Sequence, residues 1–332
     1  MEYINRLPIE VTEINIECKN LSILPDLSRF TCLQKLDCSS NLLTQLDNLP
    51  FSLQILNCSF NQITQLDNLP LSLQVLNCSY NHLTQLDNLP SSLKILNCSD
   101  NQLTQLDNLP SCLQKLDCSV NQLTQLDNLP SSLLELICSD NILIQLNNLP
   151  FFLQELICSR NQLSQLDNLP NSLQVLCCSY NQITQLNNLP VFLQKLICIN
   201  NLLIQLDKLP SFLQLLCCEN NKIIQLNNLP SSLQTLYCSS NQLTQLDNLP
   251  LSLDYLHCYY NKMENNSIEY WKEITKNKKL KLLKEKISAR KIQKIWRKYW
   301  YDFYKYELID GKYIGFCKFI EKSHSIINEN YV

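Results

Sequence analysis

Apolar and polar positions recur along this chain every 20 residues from Leu33 onward. One unit reads Leu53-x-x-Leu56-x-Cys58-x-x-Asn61-x-Ile63-x-x-Leu66-x-x-Leu69-Pro70, and twelve such units start at Leu33, Leu53, Leu73 and onward to Leu253. An irregular unit precedes them, in frame at Val11, Ile14, Ile16, Lys19, Leu21 and Leu24, and needs 22 residues to reach Leu33. The pattern therefore predicts thirteen repeats, the last incomplete. Cys18 falls two positions late for the cysteine column. Within a unit, Leu56-x-Cys58 alternates as a short strand does, which points 56 and 58 inward and 55, 57 and 59 outward. One such unit cannot bury its own apolar face, so neighbours must stack. With parallel strands roughly 4.8 Å apart, thirteen coils predict a body on the order of 60 Å long.

The rest of the unit follows from backbone chemistry. At Asn61 the chain leaves the strand, and a buried Asn there can bond backbone groups of its own loop and the next. Twelve such residues, Asn41 to Asn261, predict a ladder along the edge of the core. Asn121→Ala is expected to cost about 1–3 kcal/mol by orphaning those groups. Pro70 fixes φ and lacks an N–H, which suits an extended or 3₁₀-like return side and opposes helix. Asp67-Asn68 predicts a turn without glycine, because Asn tolerates positive φ.

The pattern L-x-x-L-x-C-x-x-N-x-L resembles the leucine-rich-repeat signature, with twelve consecutive matches covering residues 11 to about 263. The resemblance implies a repeat solenoid with short parallel strands on a concave face and an extended or 3₁₀ convex side. It also implies a protein that binds a partner rather than one that performs chemistry. The 20-residue length and the Leu-Pro-x-Ser-Leu string are similar to the short repeats of bacterial type III secreted effectors. The Asn/Ile/Lys-rich composition is similar to leucine-rich-repeat proteins of giant DNA viruses of amoebae. Some of those effectors carry a ubiquitin-ligase domain with a catalytic Cys. The late cysteine here, in Cys317-Lys318-Phe319, lacks the Cys-x-Asp context, so that activity is not transferred.

Composition narrows the reading further. The chain has 332 residues and 18 Cys but only two Gly, Gly311 and Gly315. A Gly-rich phosphate loop is thus excluded before residue 311. The N-terminus lacks the basic start and apolar core of a secretory signal, and no run of eighteen apolar residues exists. These features predict a reducing, cytoplasmic location, which would be host cytoplasm for a viral protein. Residues 264–332 carry 16 Lys/Arg against 9 Asp/Glu, whereas residues 1–263 carry 11 against 21. That asymmetry places boundaries at 1–10 for an N-terminal cap, 11–263 for the repeats and 264–332 for a basic helical cap and tail.

Several motifs have plain structural explanations. The twelve column cysteines, Cys38 to Cys258, serve as small buried hydrophobes. Cys177 and Cys217 lie instead at an outward strand position, where modification is expected to reach them. Asn57-Cys58-Ser59 reads as a glycosylation sequon but falls on a strand. Leu7-Pro8-Ile9-Glu10 resembles the opening of an F-box, with no room for the remainder. The eight Asp from Asp47 to Asp247 form a line of turns rather than a convergent calcium site. His82, His257 and His324 form no catalytic or metal constellation, and no enzyme, cofactor or metal site is expected.

Outward columns suggest where a partner binds. Position 57 changes from Asp37, Asn57, Asn77, Asn97 and Asp117 to Ile137, Ile157, Cys177, Ile197, Cys217 and Tyr237. Arg160 and Tyr180 flank that apolar stripe at position 60. An exposed apolar stripe with Arg and Tyr anchors predicts a protein-binding patch, and the face is too poor in Lys/Arg for nucleic acid. From Ser267, which can cap a helix, the pattern turns helical, and Ile268 and Trp271 suit an end cap. Further on, Ile292, Gln293, Trp296, Arg297 and Lys298 resemble an IQ motif, the helical ligand of calmodulin-like proteins. Asp302 departs from that motif at its later basic position. The leading function is a non-catalytic protein-interaction scaffold or effector. The alternatives are an adaptor working through this basic helix, on a calmodulin-like protein or a membrane surface, and a purely structural protein.

Overall fold

The computed structural model describes Ile4 and residues 6–246, 249–250 and 252–263. It contains β1 (Glu13–Asn15), β2 (Lys35–Asp37), β3 (Ile55–Asn57), β4 (Val75–Asn77), β5 (Ile95–Asn97), β6 (Lys115–Asp117) and β7 (Glu135–Ile137). These are followed by β8 (Glu155–Ile157), β9 (Val175–Cys177), β10 (Lys195–Ile197), β11 (Leu215–Cys217), β12 (Thr235–Tyr237) and β13 (Tyr255–His257). The thirteen strands form one parallel sheet in sequence order. Ile55 pairs with Val75 twenty residues on, while Glu13 pairs with Lys35, so the irregular first unit enters the same sheet with a longer loop. Ile16 takes the buried place of the column cysteines in that first coil, and Cys18 is exposed.

Each coil closes around Leu53, Leu56, Cys58, Ile63 and their repeats, which are buried up to Leu243 and half-buried in the last coil, with Leu66 nearly buried. Inter-coil backbone bonds run beyond the three strand residues: Cys58 N–H donates to Asn77 O at 2.8 Å and Phe60 N–H to Ser79 O at 3.0 Å. The expected asparagine ladder is present. Asn61 Nδ2 donates to Cys58 O and Ser59 O of its own coil and to Cys38 O of the coil before. Its Oδ1 accepts Leu43 N–H at 2.9 Å. The ladder thus reaches back to the preceding coil, not on to the next as the sequence suggested, and supplies partners that the sheet cannot.

The return side is extended, and among the described residues it holds no 3₁₀ helix. A single turn closes it, with Leu53 N–H donating to Pro50 O at 3.2 Å. Asn68 and its equivalents take φ near 55°, as the Asp-Asn turn predicts, and Lys208 takes φ 54° at the same place. Ser59 departs from expectation. Period-2 alternation points it outward, yet it is buried. The chain bends away from the strand after Cys58, and the small side chain turns in, with Ser59 Oγ donating to Asn57 Oδ1 at 2.8 Å.

By contact density the chain divides into two compact units, Met1–Gln242 with Asn248–Tyr260, and Leu243–Asp247 with Asn261–Val332. Within the second, Leu243 N–H donates to Asn261 Oδ1 at 3.0 Å. The helical cap expected from Ser267 and the IQ-like residues Ile292, Gln293, Trp296, Arg297 and Lys298 lie outside the described residues.

Candidate interaction face

The strands present positions 55 and 57 on one face. Here the structure corrects an expectation. The stripe at position 57 is not exposed: Ile157 is 5 %, Cys177 4 %, Ile197 1 % and Cys217 9 % accessible. Ile137 and Tyr237 are half-buried. In-register stacking sets like-sized apolar side chains about 4.8 Å apart, so each covers the flanks of its neighbours. Cys177 and Cys217 are therefore closed to modification, and burial pushes the Cys217 thiol up. The stripe is a tight apolar floor rather than a row of protruding anchors.

That floor is permitted by a change in backbone bonding. Where position 57 is Asp or Asn, its Oδ1 accepts the N–H two residues on, as Asn77 does from Ser79 at 3.2 Å and Asn97 from Ser99 at 3.0 Å. Ile and Cys cannot do this. From β8 to β10 the hydroxyl of the preceding coil takes over: Ser139 Oγ accepts Ser159 N–H, Ser159 Oγ accepts Ser179 N–H, and Ser179 Oγ accepts Ile199 N–H. A buried serine column thus satisfies the N–H groups that the apolar floor would otherwise orphan.

Position 60 lines one margin of the face. All twelve of its residues take φ between 52° and 57°, including Phe60, Val120, Arg160 and Tyr180. The sequence signal is faint: Asp100, Asp140, Asn200 and Asn220 are tolerant of this conformation, and their neighbours are not. Carbonyls of the next coil hold the bend, with Arg160 N–H donating to Ser179 O at 2.8 Å. The side chains then meet along the margin. Phe60 stacks on Tyr80 at 4.1 Å, Arg160 sits 4.5 Å above the Tyr180 ring, and Arg160 Nε lies 3.8 Å from Asp140 Oδ1. Burial raises the Asp140 carboxyl against the opposing pull of Arg160. Burial, with Asp100 beside it, pushes the Tyr80 phenol up to about 12.

Two further rows escaped the sequence reading. At the turn before each strand, the position-52 serine bonds backward: Ser72 Oγ donates to Leu53 O at 2.7 Å and Ser232 Oγ to Leu213 O at 2.7 Å. Phe replaces it at 152, 192 and 212, and these rings are exposed, beside exposed Phe151 and Val191. On the opposite margin Ile142, Ile144, Leu202, Ile204 and Ile224 are also exposed. The detectable signal was departure from the internal consensus, apolar residues where the repeat carries Ser, Gln or Thr.

The buried thiol column offers little reactivity. Burial pushes Cys38, Cys78 and Cys178 up to about 12 from an ordinary 9.0. For Cys58 the neighbouring thiols Cys38 and Cys78 add to burial. A thiol held protonated is neither nucleophile nor metal ligand. Among the described residues no cluster of three His, Cys, Asp or Glu could hold a metal ion. Nor, among them, is any helix long and apolar enough to cross a membrane.

Stacked parallel three-residue strands, a buried asparagine ladder and a 20-residue coil define a short leucine-rich-repeat solenoid. The chain belongs to the leucine-rich-repeat proteins, as its similarity to solved members shows. YopM from Yersinia enterocolitica is 34% identical, with a TM-score of 0.67 over 78% of this chain and 66% of that one. YopM from Yersinia pestis, described as a leucine-rich effector protein, is 31% identical, with a TM-score of 0.63 over 76% of this chain and 84% of that one. The functional domain of InlJ from Listeria monocytogenes, described as including a cysteine ladder, is 31% identical, with a TM-score of 0.61 over 76% of this chain and 63% of that one. This chain thus spans less than two thirds of the Y. enterocolitica and InlJ chains. No protein-family model and no curated protein matches it.

Proposed function

We propose that this chain is a non-catalytic scaffold or effector that binds a protein partner on the strand-bearing face of β7–β12. The contact comprises Ile137, Ile157, Arg160, Cys177, Tyr180, Ile197, Cys217 and Tyr237. The observation that carries the reading is the apolar floor bordered by the Arg160–Tyr180 pair. Covering an apolar floor breaks no side-chain hydrogen bonds to water, and Arg and Tyr at its margin can supply directional contacts. Similarity to an effector protein supports a binding role in general. The described cysteines are thiols rather than disulfides, in keeping with a reducing compartment such as the cytoplasm.

Burial of the floor dictates the test. A charge placed at Ile157 or Ile197 would damage the fold, so loss of binding there would not discriminate. Arg160→Glu and Tyr180→Ser act at the margin and leave the core intact. Partners captured from host cytoplasm by the wild-type chain are expected to be lost from both variants while melting temperature changes little. Partners retained by both variants but lost on truncation to residues 1–266 would move recognition to the basic C-terminal segment and sink this reading.

A further inference from the structure

We propose that the turns preceding β8–β11 form the contact surface of a two-fold dimer of this chain. The proposal does not depend on a partner at the strand face. Phe152, Phe192 and Phe212 stand where most other repeats carry a serine that bonds the preceding coil. Each substitution exchanges a hydrogen bond for an exposed ring, which lowers the stability of an isolated chain. The rings remain open, at 60 %, 56 % and 53 % accessibility, and Phe151 and Val191 beside them are at 68 % and 57 %. Phe151 packs edge-on to Phe152 at 5.1 Å, and Phe192 lies 5.9 Å from Phe212. The rings thus form two packed pairs in one column of turns, on either side of the turn at Ser172.

The size of the row suits a second copy. With roughly 200 Å² per aromatic ring, the five side chains leave about 500 Å² of apolar surface open. A standard interface buries ~800 Å² per partner, and homodimer interfaces are about 65% apolar, which asks for close to that amount.

Charge and spacing point the same way. A two-fold contact sets each column near its own copy, so a charged column repels itself. The turn aspartates run unbroken from Asp47 to Asp127, then give way to Asn147, Asn187 and Asn227, and Asp207 is followed by Lys208. Asp167 alone keeps its charge unbalanced along this stretch. Within the row, Ser172 leaves a gap between Phe152 and Phe192. A two-fold axis midway between the turns at 172 and 192 places Phe192 of one copy in the Ser172 gap of the other. The same axis lays Phe152 against Phe212. The row is complementary to itself, and the contact closes at two copies.

The test is sedimentation equilibrium of the full chain across micromolar concentrations. The wild type is expected to associate reversibly to twice the chain mass. Phe152→Ser, Phe192→Ser and Phe212→Ser each restore the residue the repeat uses elsewhere, so the fold is retained and melting temperature does not fall at monomeric concentrations. Phe192→Ser is expected to return the protein to monomer, and the triple variant abolishes association. Phe51→Ser, at an exposed ring amid the charged turns, leaves the dimer unchanged. A wild type monomeric throughout, a triple variant that still dimerises, or assembly that grows beyond two copies overturns the proposal.

Discussion

Removing one rung of the asparagine ladder tests the physical account of the fold. Asn161 is deeper than Asn121, the mid-array position the repeat pattern alone would select, and its environment is fully specified. Its Nδ2 donates to Cys138 O at 3.0 Å, Cys158 O at 3.2 Å and Ser159 O at 3.2 Å, and its Oδ1 accepts Leu143 N–H at 3.0 Å. Asn161→Ala affects these groups unequally. Cys138 O keeps Asn141, Cys158 O keeps Asn181, and Ser159 O keeps the Asp140 N–H. Leu143 N–H has no second acceptor, so it becomes a buried orphan costing about 1–3 kcal/mol. The three lost Nδ2 contacts, made by two N–H hydrogens, add about 1 kcal/mol together, because their acceptors remain bonded. The expected loss is about 2–4 kcal/mol. Denaturant unfolding gives the total, and hydrogen exchange at the Leu143 amide locates it, which matters because a repeat array can open coil by coil. Gln162→Ala, on the exposed neighbour, should stay within about 0.5 kcal/mol of wild type. A midpoint unmoved by Asn161→Ala, with Leu143 still protected, refutes the ladder argument.

Three further outcomes follow from the same structure. Ser179→Ala orphans the Ile199 N–H and is expected to cost about 1–3 kcal/mol, whereas Ser79→Ala, where Asn97 already serves the next coil, stays below about 1 kcal/mol; equal losses in denaturation would contradict the handover between columns. Val120 holds φ 52° at a place that penalises a β-branched residue, so Val120→Asn should raise stability by about 1 kcal/mol, and an unchanged or lowered melting midpoint would show that no penalty is stored there. The ladder thiols keep their protons in the folded chain up to about 12, while an unfolded chain releases them near 9.0. Above that lower value the unfolded state binds fewer protons, so stability is whole below it and falls as pH rises toward the higher one. Urea midpoints measured between neutral and alkaline pH should decline over that window, and less steeply in Cys118→Ala; a flat profile would exclude the thiol column as the cause.

Much of the architecture is legible in the sequence because a solenoid is nearly one-dimensional. Each coil touches only its neighbours, so a 20-residue period carries strand position, parallel order, the inward leucines and the asparagine ladder together. Turn chemistry is equally local, and Asp67-Asn68 announces a positive φ from its residue types alone. The position-60 bend was hidden because Phe60, Val120 and Arg160 do not favour it. Backbone bonds to the next coil impose it, and those exist only after stacking. Exposure was misjudged at Cys177 and Cys217 for a related reason. Alternation along one strand tells which way a side chain points, but not whether its neighbours close over it. Stacked Ile157, Cys177 and Ile197 bury one another, which only the assembled sheet decides. The same assembly turned Ser59 inward and left Phe192 and Phe212 outside. Period and turn chemistry were properties of the chain, whereas accessibility was a property of the stack.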